Sequence, residues 1–166
     1  MNKTLTINME NLSEEERNLF VKLVEKSQQK KSKFWKPEEN GKFYFLGPSG
    51  LINSSFYEDV NDEYKYLIGN CFHTEKEAKF IAEKLKVIAE LKRIAKENNQ
   101  RINWNNFTQE KYFLLYDYRC QTITIDHTAN FLKLPTIYFS SIDGAKKAVE
   151  TIGELKLKKY YFDIKE

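Results

Sequence analysis

Lys42-Phe43-Tyr44-Phe45-Leu46 and Lys111-Tyr112-Phe113-Leu114-Leu115 read as one strand written twice. Each is a short aromatic run bounded by polar and turn residues, the pattern of a buried strand. Trp35 precedes the first and Trp104 the second, and both landmarks recur at a spacing of 69 residues (104 − 35). Further on, Phe72-His73-Thr74 leads into Ala78-Lys79, and Phe139-Ser140-Ser141 leads into Ala145-Lys146, at a spacing of 67 (139 − 72). The second copy is therefore two residues shorter inside. Duplication assigns the shared residues to the fold, so a site is expected where the copies differ.

The flanking residues extend this pattern. In the first copy Gly47-Pro48-Ser49-Gly50 is a turn, and residues 51–56 can pair back as a hairpin. Residues 64–68, closed by Gly69-Asn70, are expected as a third strand. Thr74 and Glu77 form a capping box. The helix they open places Ala78, Ile81, Ala82, Leu85, Ile88 and Ala89 on one face and should run to about Lys96, because Asn98-Asn99 reads as its end. In the second copy residues 111–116 and 121–125 flank a turn at Asp117-Tyr118-Arg119, and 136–139 supply the third strand. Ser141 caps the following helix, but Gly144 stands where Glu77 was, so the box is lost. Residues 155–164 fit a strand or a helix. Ahead of both copies, residues 4–9 alternate like a strand, and Ser13 with Glu16 opens a helix striped by Leu19, Phe20, Leu23 and Val24. The expected class is α+β: an N-terminal strand-helix segment (1–33), then tandem βββα repeats with antiparallel sheets at 34–100 and 101–166, forming one unit.

The chain of 166 residues is 41% hydrophobic and 14% aromatic, which is enough to build a core. Its apolar runs are far too short for a membrane span, and Met1-Asn2-Lys3-Thr4 lacks the apolar stretch of a signal peptide. A cytoplasmic protein with no membrane partner is expected. Cys71 and Cys120 are too few for a disulfide framework. The net charge of +3 is unevenly spread. Residues 30–36 carry four lysines, residues 37–75 carry seven acids against two bases, and residues 76–101 carry eight bases against four acids.

No catalytic constellation stands out. Cys71 and His73 would share a strand face, with Asp126-His127 as a possible base from the other copy, but nothing in the sequence activates the thiol. Asp59-x-Asn61-x-Glu63 imitates the start of a calcium loop, yet Tyr64 and Asn70 occupy the positions that need Gly and Glu. No metal, cofactor or catalytic residue is assigned, and an enzyme is not expected. The candidate partner-binding residues are the acidic run Glu58, Asp59, Asp62 and Glu63, which could imitate a nucleic-acid backbone, and the lysines Lys30, Lys31 and Lys33, which flank Phe34 and Trp35.

The string Trp35-x-Pro37, Gly41-x-x-Tyr44 and Gly69-Asn70-x-Phe72-x-Thr74-x-x-Glu77-Ala78 resembles a family of small uncharacterised phage and prophage proteins of Gram-positive bacteria. The resemblance implies an accessory protein acting in the host cytoplasm on host machinery, defence systems of the CRISPR type among them. Locally, Phe72-x-Thr74-x-x-Glu77-Ala78 is similar to the strand–helix junction of AP2-type DNA-binding domains, although the strands here carry few bases. The expected function is non-enzymatic binding to a host protein or protein–nucleic-acid complex, so as to inhibit it. The alternatives are a nucleic-acid-binding accessory protein and a protein that sequesters a nucleotide signal between the repeats. Self-association into a homo-oligomer would use the same kind of interface.

Overall fold

A computed structural model describes residues 12–28 and 35–164. The expected strand at 4–9, together with Lys30, Lys31 and Lys33, lies outside the described residues. Helix α1 (Glu14–Gln28) belongs to a first unit, Met1–Lys36, and every later element to a second, Pro37–Glu166. α1 starts as its sequence dictates. Ser13 Oγ accepts from the Glu16 amide at 3.3 Å, and the Glu16 carboxylate accepts from the Ser13 amide at 2.8 Å. Of its apolar stripe, Leu19 and Leu23 are exposed.

The second unit is mixed α+β, with two separate two-stranded antiparallel sheets. Strand β1 (Lys42–Leu46) pairs with β2 (Ile52–Phe56), and β3 (Lys111–Asp117) with β4 (Thr122–Thr128). Helix α2 (Val60–Leu67) and the long α3 (Glu75–Asn98) lie between the hairpins. After the second hairpin come α4 (Ile142–Ile152) and a three-residue α5 (Glu154–Lys156), which widens into a π-turn over Leu157–Tyr161. The ambiguous segment 155–164 is thus helical where it is regular.

The expected third strands do not form. In the first copy, residues 60–67 are helical because Asp59 satisfies the exposed amides of Asn61 and Asp62 at 2.7 and 3.1 Å, with Asp62 answering as the other half of a capping box. In the second copy, the amides before Phe139 go to turn and side-chain acceptors: Phe131 N–H to Thr128 Oγ1, Lys133 N–H to the Tyr138 hydroxyl and Thr136 N–H to the Lys133 carbonyl. Each hairpin instead takes one isolated antiparallel bridge, Tyr44 with Phe72, which lies beyond the expected 64–68, and Tyr112 with Phe139, the last residue of the expected 136–139. In both, the two residues exchange amide–carbonyl bonds of 2.8–3.0 Å. Tyr44 therefore corresponds to Tyr112, a spacing of 68 (112 − 44), one residue out of the register that the Lys42/Lys111 match suggests. In this register buried Phe43 corresponds to Lys111, not to Tyr112.

The core holds Val87, Leu91, Ile94 and Ala95 of α3, Leu114 of β3, Phe139, Ala145, Ala148 and Ile152 around α4, and Leu157 of the π-turn. α3 packs on β1 and β2 as well as on α4 and the π-turn, whereas β3 and β4 pack on α4. Its buried face runs from Ala78 and Ala82 to Val87, Leu91, Ile94 and Ala95. Leu85, expected in that face, instead borders an apolar hollow with Leu46, Gly50, Ala82, Lys86 and Ala89. The tryptophans, matched in sequence, differ in setting. Trp35 is 39% exposed, whereas Trp104 packs edge-on against Tyr138 at 5.0 Å.

Candidate functional site

The acidic run is divided between the fold and the surface. Asp62 is only 5% exposed. It accepts from the amides of Glu58 at 3.0 Å and Asp59 at 3.4 Å and pairs with Lys65 Nζ at 2.7 Å. Burial pushes its carboxyl pKa up, but the Lys65 ammonium and the two amides outweigh burial and hold it below the usual aspartate range. Asp59 is the α2 N-cap, and Glu63 accepts from the Tyr57 hydroxyl. Asp62 thus faces inward, Glu58 and Asp59 are exposed, and Glu63 is half-buried.

This inward turn of Asp62 has a consequence for the rest of α2. The helix points its charged Asp62–Lys65 edge at the protein, where the Lys65 ammonium also lies 4.7 Å from the Phe45 ring centre. Its apolar residues Val60, Tyr64 and Leu67, with Ile68 just beyond, are left exposed, and Tyr66 is half-buried. An amphipathic helix ordinarily buries its apolar stripe; α2 is inverted. Phe56 at the end of β2 is exposed as well. The corresponding segment of the second copy also shows apolar residues to solvent, namely Phe131, Leu132 and Leu134.

Cys71 and His73 do not share a strand, because only Phe72 between them is bridged. Cys71 Sγ lies 3.9 Å from the Asp62 carbonyl. Burial, with the nearby charge of Asp62, pushes its thiol up to about 11, so it is a neutral thiol at physiological pH. His127 is an exposed residue of β4, 3.7 Å from Glu110. Asp59, Asn61 and Glu63 do not form a calcium loop: Asp59 and Asn61 bond to each other at the cap. Among the described residues, no group of three His, Cys, Asp or Glu side chains is placed to hold a metal, and no helix is long and apolar enough to cross a membrane.

The bases of α3 are partly neutralised along the helix. Lys79 pairs with Glu75 at 2.5 Å, Lys86 with Glu83 at 2.6 Å, and Lys84 with Asp163. Lys111 is fully buried. Its ammonium donates to the carbonyls of Asn106 at 2.8 Å and Ala129 at 2.7 Å.

A cleft of about 400 Å³ opens at the tip of the second hairpin, lined by Tyr116, Tyr118, Gln121, Leu155, Lys158, Lys159 and Ile164. Sequence reasoning missed this cleft, the inverted face of α2 and the burial of Lys111. The face of α2 had a signal in the helical spacing of Val60, Tyr64, Leu67 and Ile68; the cleft had none, because its walls come from two distant segments. No family model, curated protein or solved structure matches the chain.

Proposed function

We propose that this chain acts by binding a protein partner, through a surface centred on the exposed apolar face of α2. The observation that carries this reading is the inversion of that helix, with charge turned in and Val60, Tyr64, Leu67 and Ile68 turned out. Contiguous exposed apolar surface on a small domain marks an interaction site. Glu58 and Asp59 edge the face, so the partner should offer an apolar groove with a basic rim. The two hairpins, each bridged to a phenylalanine that leads into a capped helix, support descent from one duplicated hairpin–helix module. The resemblance to phage and prophage proteins supports a host macromolecule as the target and interference with host defence as the role.

The test compares the full chain with a Tyr64→Ser/Leu67→Ser/Ile68→Ser variant as bait in Gram-positive host lysate. One protein retained by the native chain and lost with the variant, at unchanged circular dichroism, supports the reading. Equal retention by both baits refutes it. Binding to random duplex DNA that falls steeply with salt would favour a nucleic-acid ligand instead. Concentration-dependent dimerisation abolished by the same variant would make the partner a second copy.

A further inference from the structure

The cleft at the tip of the second hairpin combines features that the first hairpin lacks. Its volume, about 400 Å³, suits a small molecule. Tyr116 and Tyr118 meet edge-to-face at 4.9 Å along one side. Tyr118 is 76% exposed and Leu155 is 70% exposed, so apolar surface at the cleft remains wet. Lys158 and Lys159 both project from the π-turn, which closes through the Phe162 amide to the Leu157 carbonyl at 3.0 Å. Such wide turns are rare and recur at functional sites. Gln121 holds a left-handed backbone with φ of 54°, and Asp163, beside Ile164, does so at 56°. Non-glycine residues in that region carry strain, which clusters where side chains are aimed at ligands.

The charge is specific too. Glu154 accepts from Lys158 Nζ at 2.9 Å and from Thr122 Oγ1 at 3.2 Å, which ties it to the hairpin and offsets one lysine. Lys159 is then the net positive charge among the described lining residues, its ammonium 5.4 Å from the ring centre of Tyr160. The exposed Tyr118 ring offers stacking, the Gln121 amide offers both a donor and an acceptor, and the Lys159 ammonium, with no carboxylate partner among the described residues, offers a place for phosphate. From this we infer that the cleft binds a free nucleotide carrying a single phosphate. The inference goes beyond the protein-binding role of α2 and rests on different residues.

The full chain, labelled with nitrogen-15, is titrated with adenosine 5′-monophosphate, adenosine, inorganic phosphate and a thymidine oligonucleotide. Saturable amide shifts confined to residues 116–122 and 154–164 are expected with the monophosphate, and roughly tenfold weaker responses with adenosine or phosphate alone. Tyr118→Ala and Lys159→Gln each weaken binding by about tenfold while the remaining spectrum is unchanged, as both side chains are exposed. Absence of saturable shifts at millimolar nucleotide overturns the inference. So does an equal response to phosphate alone, or tighter binding of the oligonucleotide at the same residues.

Discussion

Lys111 holds its ammonium 5.3 Å from the ring centre of Trp104 while itself fully buried. With its bonds to the Asn106 and Ala129 carbonyls, this makes Lys111 a clamp between the loops that precede β3 and follow β4. Its counterpart in the first hairpin is the apolar Phe43. Lys111→Met keeps most of the packing but leaves two carbonyls without their donor, and each such loss costs about 1–3 kcal/mol, partly offset because a charge no longer has to be buried. A net destabilisation of about 2 kcal/mol is expected, read as a lower urea midpoint at constant slope. An unchanged midpoint would show that the clamp contributes nothing.

Asp62 makes stability depend on pH at the acid end. Its pKa is lowered in the folded chain, so its contribution is complete above the unfolded value, about 3.9, and is lost as pH falls through the lower folded value. Thermal midpoints should drop as pH falls below about 4, and the Asp62→Asn variant should lack that share of the drop. At neutral pH the variant should melt lower than the native chain. Parallel pH profiles for the two proteins would contradict the assignment.

The caps of α3 and α4 differ in a way that can be measured. Thr74 Oγ1 accepts from the Glu77 amide at 3.2 Å, and Glu77 accepts from the amides of His73 and Thr74 at 3.0 and 3.1 Å. Ser141 makes only the forward bond, from the Gly144 amide at 3.1 Å. Thr74→Ala and Ser141→Ala should each cost about 1 kcal/mol. Adding Glu77→Ala to Thr74→Ala should cost more, with faster amide exchange at His73 and Thr74. No faster exchange at those two amides would mean that water caps α3 equally well.

These caps were legible because an N-cap is written within four residues. Ser13-x-x-Glu16, Thr74-x-x-Glu77 and Ser141 each open a helix at the position their sequence indicates. The hairpins were legible for the same reason, since aromatic runs around short turns are local signals. Residues 64–68 misled because Tyr64, Tyr66 and Ile68 alternate as a strand would, although Val60, Tyr64 and Leu67 also have the spacing of a helix face. The burial of Lys111 was not legible in the sequence. Its burial depends on carbonyls from two loops, which no local pattern encodes.

Lys65 and Lys133 place like charges over like rings, 4.7 Å from the centre of Phe45 and 4.6 Å from that of Phe113. Both lysines and both phenylalanines stand 68 residues apart (133 − 65 and 113 − 45), the same spacing that relates Tyr44 to Tyr112. The chemistry beneath the match differs, because Lys65 also neutralises buried Asp62. An exposed cation–π contact contributes about 0.5–1 kcal/mol, so Lys133→Met should cost no more than that. Breaking a buried pair costs about 3–5 kcal/mol, lowered here because the Lys65 side chain is 28% exposed, so Lys65→Met should cost about 2 kcal/mol. The excess should vanish when Asp62→Asn is added, since the uncompensated charge is then gone. Equal losses for the two single variants would mean that the ring contact, and not the aspartate, is what Lys65 supplies.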